Sequence, residues 1–299
     1  MEKNEPVLKN YILLISNSRH RVISKCIESI MKLERNNEWK KIHIHQEGHE
    51  LTTKQFDKYQ KYFDINIRVK PIFQNKLANI NFNRILGYRM AFELMGADNV
   101  LGIEEDTIIA KDALNFSSFV LKRYSTNNSF RGINLASGES KGAASENSYS
   151  LLRFGIQGQG SLITRKTWEQ FPARKLLNYD SGEGWDSPIE FYLKTGFMIT
   201  PNFSRILDFG WDTGTHTPKN KNDDYYINMK KSFLKVHKKS FKTYDHEQIE
   251  HKSRLDLIAY KTKDNLIFYV RHKLKSRTIV LFLKTFMTKK LKSRFGVRD

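Results

Sequence analysis

The sequence predicts an α/β protein: a mixed, mostly parallel sheet with helices on both faces, followed by a basic, mainly helical C-terminal extension. Three observations carry this expectation. Short apolar, β-branched runs alternate with segments of helical spacing over residues 8–216, the pattern of an open sheet covered on both sides. Polar residues and carboxylates fall directly after the strand-like runs, where sheets of this class bind ligands. The positive charge gathers late in the chain: residues 231–299 hold 19 Lys/Arg against 6 Asp/Glu, most of a formal net charge of +19.

The elements follow in order. Tyr11–Ile15 is a continuous apolar run, read as a first buried strand; ending before Asn17, Ser18 and Arg19, it is too short for a signal peptide or a membrane span. Val22–Leu33 has helical spacing, Ile42–His45 is a short strand, Thr52–Tyr62 a helix, Ile65–Val69 a strand, Ile85–Met95 a helix and Val100–Ile103 a strand. Ala136–Ser150, rich in Gly, Ser and Ala, reads as a mobile loop. Gly160–Thr164 resumes strand character, Lys166–Phe171 forms a short helix, and Trp185-Asp186 opens another. From Met198 the chain runs from strand into a loop with Gly210, Gly214 and His216. Two domains are expected: a catalytic one over residues 1–217 and the basic extension over 218–299.

Composition excludes several classes. Cys26 is the only cysteine, so neither a disulfide framework nor a cysteine zinc site can form, which fits a reducing compartment. Within the tail, Leu274, Ile279, Phe282, Leu283 and Phe286 interleave with Arg271, Lys273, Lys275, Arg277, Lys284, Lys289, Lys290 and Lys292. This composition suits first a basic amphipathic helix lying in an anionic membrane interface, and after it a lysine-rich helix pair packed on the main domain. No RNA-recognition, KH or zinc-finger signature speaks for nucleic acid.

The sharpest chemical feature is Glu104-Glu105-Asp106 at the end of a strand. Adjacent acids repel unless a cation or donor answers them. Mg²⁺ or Mn²⁺ suits such a place, because it takes one or two carboxylates and completes its shell with water and phosphate oxygens; an acidic turn or helix cap is the alternative. Asp186 reads either as an N-cap or as a general base beside a substrate held by Trp185. Glu190, four residues on, would share its helical face, and Asp180 and Glu183 could bind acceptor hydroxyls. Arg205 would contact phosphate, brace the site through Asp208, or form a buried ion pair. His43, His45 and His49 gather at one strand end, but with no Cys or helical His pair they read as packing residues at least as well as ligands.

Seven segments in order, ILLISNSRHRV, IHQEGHE, GYRMAFEL, VLGIEEDTIIAKDAL, FGIQGQGSLITRKTWEQF, GWDSPIEFYL and NFSRILDFGWDTGTHT, resemble glycosyltransferase family 13, the family of N-acetylglucosaminyltransferase I. The resemblance covers residues 8–217 and implies a GT-A fold, a nucleotide-sugar donor (UDP-linked), a divalent metal (Mn²⁺, or Mg²⁺) and inversion at the anomeric carbon. By position it places Arg19 at the nucleotide or its phosphates, Glu47 at the uridine, and Glu104 and Glu105 in the nucleotide-sugar pocket, while Trp185 as an apolar wall and Arg205 as a phosphate contact are expected at the donor from the residues themselves. Asp106 falls on the metal ligand and Asp186 on the catalytic base. Three departures stand out: Glu105 replaces an Asp, Ser187 replaces the Asp after the base, and Gly87 or Tyr88 stands where the family has a histidine at the nucleotide. Unlike the family's Golgi members, the chain reads as a bacterial-type cytoplasmic enzyme, peripheral on the inner face of the plasma membrane, acting on a glycan or lipid-linked saccharide. A nucleotidyltransferase and a non-catalytic basic adaptor are the competing classes.

Overall fold

The computed structural model describes residues 8–17, 20–48, 50–74, 76–137, 145–152, 160–170, 196–208 and 224–247. Strand and helix alternate through β1 (Asn10–Ser16), α1 (His20–Met31), β2 (Lys40–Gln46), α2 (Glu50–Tyr59), β3 (Ile65–Val69), α3 (Lys76–Arg89) and β4 (Asn99–Glu104). There follow β5 (Thr107–Ile109), α4 (Ala113–Tyr124), β6 (Phe130–Asn134), β7 (Ser148–Leu152), β8 (Ser161–Thr164), α5 (Arg165–Gln170), β9 (Phe197–Pro201) and β10 (Ile206–Asp208). The described chain ends with α6 (Asp224–Val236) and β11 (Asp245–His246).

Nine strands form one sheet in the order β11-β7-β9-β6-β8-β4-β1-β2-β3, and β10 with β5 makes a separate ribbon. The pairings β1–β2, β1–β4, β2–β3, β6–β9 and β7–β11 are parallel, while β8 runs antiparallel to β4 and β6, and β7 to β9. The expected class is therefore the observed one: α/β, mixed, mostly parallel. Residues 11–16 of β1 are all buried, as a central strand covered on both faces requires. Ile12 and Leu14 share an apolar cluster with Ile23, Ile27 and Ile30 of α1 and Leu114, Phe116 and Val120 of α4. Tyr11, Leu13 and Ile15 join Ile85 and Tyr88 of α3 and Trp168 of α5 on the other face. Truncating one of these aliphatic side chains to Ala would cost about 2–5 kcal/mol.

Several elements differ from the sequence reading. Helix α3 begins at Lys76 rather than Ile85, because its early inward positions are polar: Asn79, Asn81, Asn83 and Arg84 are buried and interrupt the apolar period. The Asn79 amide holds the incoming turn, accepting the N–H of Ile72 and Phe73 at 2.9 Å and donating to the Phe73 carbonyl at 2.6 Å. Of the expected loop Ala136–Ser150, residues 138–144 lie outside the described residues, but Ser148–Leu152 is strand β7, paired with β9. Its buried Ser148 and Ser150 are satisfied by Asn202 and the Glu247 carbonyl, which is how small polar residues come to occupy a core strand.

The chain divides into two compact units, residues 1–249 and 250–299. Within residues 1–249, α6 places Met229 and Phe233 in the main core and β11 extends the sheet beside β7. Residues 250–299, with most of the basic tail, lie outside the described residues.

Candidate functional site

Strands β2, β1 and β4 are adjacent and parallel, so Gln46, Ser16 and Glu104 end on the same edge of the sheet. The acidic run begins there, with Ile15 in register with Glu104. The next residue is held from β1 at two points: the Glu105 N–H donates to the Ile15 carbonyl at 3.1 Å, and the Asn17 N–H donates to Glu105 Oε2 at 3.2 Å. Glu104 forms an ion pair with Arg84 of α3, whose side chain is only 3% exposed. Such a pair answers the repulsion between neighbouring carboxylates, and breaking it would strand a buried guanidinium. Asp106 follows in the turn between β4 and β5, and both Glu105 and Asp106 are buried.

Two further residues complete this end of the sheet. Cys26 of α1 donates its thiol hydrogen to the Glu104 carbonyl, 3.4 Å away. Burial, followed by the negative charges of Asp106 and Glu105, pushes that thiol well above its usual range, so it is a protonated, unreactive cysteine. The β5–β10 ribbon sets Asp208 opposite Thr107, one residue beyond Asp106 in sequence. Sequence reasoning saw Asp208 only as a brace for Arg205; its place at the end of a strand was the signal that it belongs beside the triplet.

Arg205 itself lies elsewhere. Its side chain is fully buried, with Nε 3.0 Å from Asp112 Oδ1, Nη1 donating to the Phe203 carbonyl at 2.8 Å and Nη2 to the Glu146 carbonyl at 3.0 Å. The guanidinium also stacks over Phe241 at 5.3 Å, and Tyr244 donates its hydroxyl to Asp112 Oδ2 at 3.0 Å. Burial pushes the Asp112 carboxyl upward while Arg205 and Tyr244 pull it back. Of the expectations for Arg205, the buried ion pair holds, with Asp112 and not Asp208 as partner, and the donor-contact expectation is corrected. Its guanidinium donors are taken up by Asp112 and the Phe203 and Glu146 carbonyls inside the core.

Glu47 follows β2, half-buried, its N–H donating to the Val69 carbonyl at 2.8 Å. Beneath it, His43 and His45 are fully buried and share one hydroxyl: Ser16 Oγ is 2.7 Å from His43 Nε2 and 2.8 Å from His45 Nδ1. Phe56 and Phe63 pack against these rings. Burial, with His45 adding to it, pushes His43 down to about 3; burial and then Arg68 push His45 down to about 4. Both are neutral packing residues. On the opposite face the Asn83 amide donates to Gln46 Oε1 at 3.1 Å. Tyr88 is buried between Phe92 and Trp168, its phenol pushed by burial up to about 12, and Gly87 packs on Leu13.

Among the described residues, no three His, Cys, Asp or Glu side chains converge as a metal cluster. What the edge offers is hard oxygen, with Glu104 engaged by Arg84 and Asp106 at the turn; a cation that takes one or two carboxylates fits this donor set, and one needing a full protein cage does not. Arg19, Trp185 and Asp186 lie outside the described residues, as do His49, Asp180, Glu183 and Glu190. Sequence reasoning missed Arg84 as a member of the site. No local signal marked it, because Arg84 follows three asparagines in a helix start whose buried face is polar.

No protein-family model matches the sequence, and no curated protein matches it. Among solved structures, the chain is similar to TarS of S. aureus, with 11% identity, a TM-score of 0.47, and coverage of 91% of this chain and 44% of that one. It thus spans less than half of TarS, and 74% of a TarS 1–349 structure, at 10% identity, TM-score 0.47 and 89% coverage of this chain. It is also similar to the mannosyltransferase PcManGT of Pyrobaculum calidifontis in complex with GDP-Man and Mn²⁺, with 12% identity, TM-score 0.46, and coverage of 70% of this chain and 59% of that one.

Proposed function

We propose that the protein is an inverting, metal-dependent glycosyltransferase of GT-A type that moves a sugar from a nucleotide-sugar, UDP-linked in our reading, to a hydroxyl of a glycan or lipid-linked saccharide. The observation that carries the reading is the acidic edge: Glu104 clamped by Arg84, Glu105 fixed from β1, and Asp106 at the turn, on the edge where parallel α/β sheets bind nucleotides. The resemblance of the seven segments to family 13 supports it as well. In this reading Asp106 would hold Mn²⁺ or Mg²⁺, and the cation would supply the positive charge that a departing nucleotide diphosphate needs. Glu47 and Glu105 orient the donor, with Arg19 and Trp185 beside it. Asp186 takes the proton of the acceptor hydroxyl as it attacks from the face opposite the leaving group, help worth about 10²–10⁴-fold in rate. The basic tail turns the protein toward membrane-borne acceptors at the cytoplasmic face, and no helix among the described residues is long and apolar enough to cross a membrane.

The test is calorimetric titration of UDP, GDP and CMP nucleotide-sugars with and without Mn²⁺, followed by Asp106→Ala and Asp186→Asn. The expected result is metal-dependent binding of one nucleotide class, lost in Asp106→Ala, and Asp186→Asn binding donor normally while transfer falls by at least about 10². Absence of nucleotide binding by folded protein would overturn the proposal, as would pyrophosphate release, which belongs to a nucleotidyltransferase.

A further inference from the structure

Helix α6 buries one side and leaves the other uncovered. Met229, Ser232, Phe233 and Val236 face the core, while Lys230, Lys231, Leu234 and Lys235 are exposed, as are Lys238 and Lys242 beyond the helix end. At about 100° per residue, positions 230, 231, 234 and 235 fall within an arc of roughly 140°, and Lys238 continues that stripe, the His237 N–H still donating to the Phe233 carbonyl at 2.9 Å. Leu234, 53% exposed, stands in the middle of it. Residues 225–244 contain six lysines and no carboxylate. Lys239 is paired with Glu146, whereas Lys230, Lys231, Lys238 and Lys242 make no ion pair among the described residues.

We propose that this stripe is a docking surface for an anionic lipid bilayer, with Leu234 entering the headgroup region and the lysines meeting lipid phosphates. An exposed apolar side chain flanked by ammonium groups on long apolar stems is the arrangement of an interfacial helix. The composition speaks against nucleic acid. The stripe has no arginine for bidentate base or phosphate contacts, and of the aromatic side chains described nearby Phe233 and Tyr244 are buried and Phe241 lies under Arg205. The stripe is the part of the basic extension that precedes residues 250–299, and the proposal stands whether or not the transferase reading does.

The experiment is sedimentation of the full-length chain, without donor, with phosphatidylcholine vesicles that contain or lack phosphatidylglycerol, in parallel with duplex RNA. The variants are Lys230→Glu/Lys231→Glu/Lys238→Glu, the milder Lys230→Gln/Lys231→Gln, and Leu234→Ser, each checked for native circular dichroism. Each surface lysine contributes roughly fivefold to partitioning onto an anionic surface, so the double Gln variant should lose on the order of tenfold or more and the triple variant more again. Leu234→Ser should weaken vesicle binding and leave the remainder more sensitive to salt. Vesicle binding by the folded Gln variant equal to that of the unaltered chain would overturn the proposal, because the tail would then suffice. So would binding to RNA in preference to vesicles, or indifference to Leu234→Ser.

Discussion

The corrected role of Arg205 leads to a quantitative expectation. Asp112→Asn keeps the shape of the side chain and removes the charge that faces Arg205 Nε at 3.0 Å. Both side chains are fully buried, so the guanidinium cannot recover its lost partner from water. Breaking a buried pair from one side costs about 3–5 kcal/mol. For a cooperative unit of this size, each kcal/mol lowers Tm by about 2–4 °C, so thermal unfolding followed by circular dichroism should show a drop of about 10 °C. Removing both charges, in Asp112→Leu/Arg205→Met, should restore most of that loss, since replacing a buried pair by apolar groups is often neutral. The double variant should also bind donor normally at temperatures where it is folded. A drop in Tm below about 3 °C for Asp112→Asn would refute the reasoning, and a folded double variant with donor affinity weakened by about tenfold or more would return Arg205 to the phosphates.

Three other outcomes are expected. Because His43 and His45 are held neutral with values pushed down to about 3 and about 4, the unfolded chain binds their protons first; their contribution is intact above pH about 6.5 and falls by about 1.4 kcal/mol per imidazole per pH unit toward the folded values. Urea titrations from pH 7 to 4 should show a shallower loss in His43→Gln/His45→Gln, and parallel slopes would count against this. In Gly102→Ala the new methyl group would collide with the Tyr88 hydroxyl, an overpacking expected to cost about 1–3 kcal/mol in urea unfolding and to be relieved by Tyr88→Phe; a stable single variant would disprove the contact. Glu105→Asp should withdraw the carboxylate from the Asn17 N–H and weaken donor binding more than it slows transfer, and a change confined to the transfer rate would contradict that role.

What could be read in the sequence divides along physical lines. Strands buried on both faces announce themselves as continuous apolar runs, so β1 and β4 were legible almost to the residue, and with them the edge on which Glu104, Glu105 and Asp106 sit. Elements whose buried faces are polar were not. The start of α3 carries three buried asparagines and Arg84, and β7 carries two buried serines; Asn83, Arg84 and Ser150 meet partners 37, 20 and 52 positions away that no local period encodes. Helix α4 and strand β6 also escaped the sequence reading, although both are well formed. The pairing of Arg205 with Asp112, separated by 93 positions, depends on the ribbon between β5 and β10, and a local reading chose the nearer Asp208.

The acidic edge itself follows one physical requirement through different solutions. Three consecutive carboxylates at a strand end must each be answered, or at least one of them takes up a proton. Glu104 is answered by a charge from α3, through Arg84. Glu105 is answered by a backbone dipole from the residue that follows β1, through the Asn17 N–H. These answers tie Glu104 to the packing of α3 and Glu105 to the β1–β4 register, and Asp106 follows them directly in the turn. In the proposed reaction a divalent cation held at Asp106 would bring the positive charge that meets a leaving diphosphate, and carboxylates already fixed in the core would be the preorganisation such stabilisation requires.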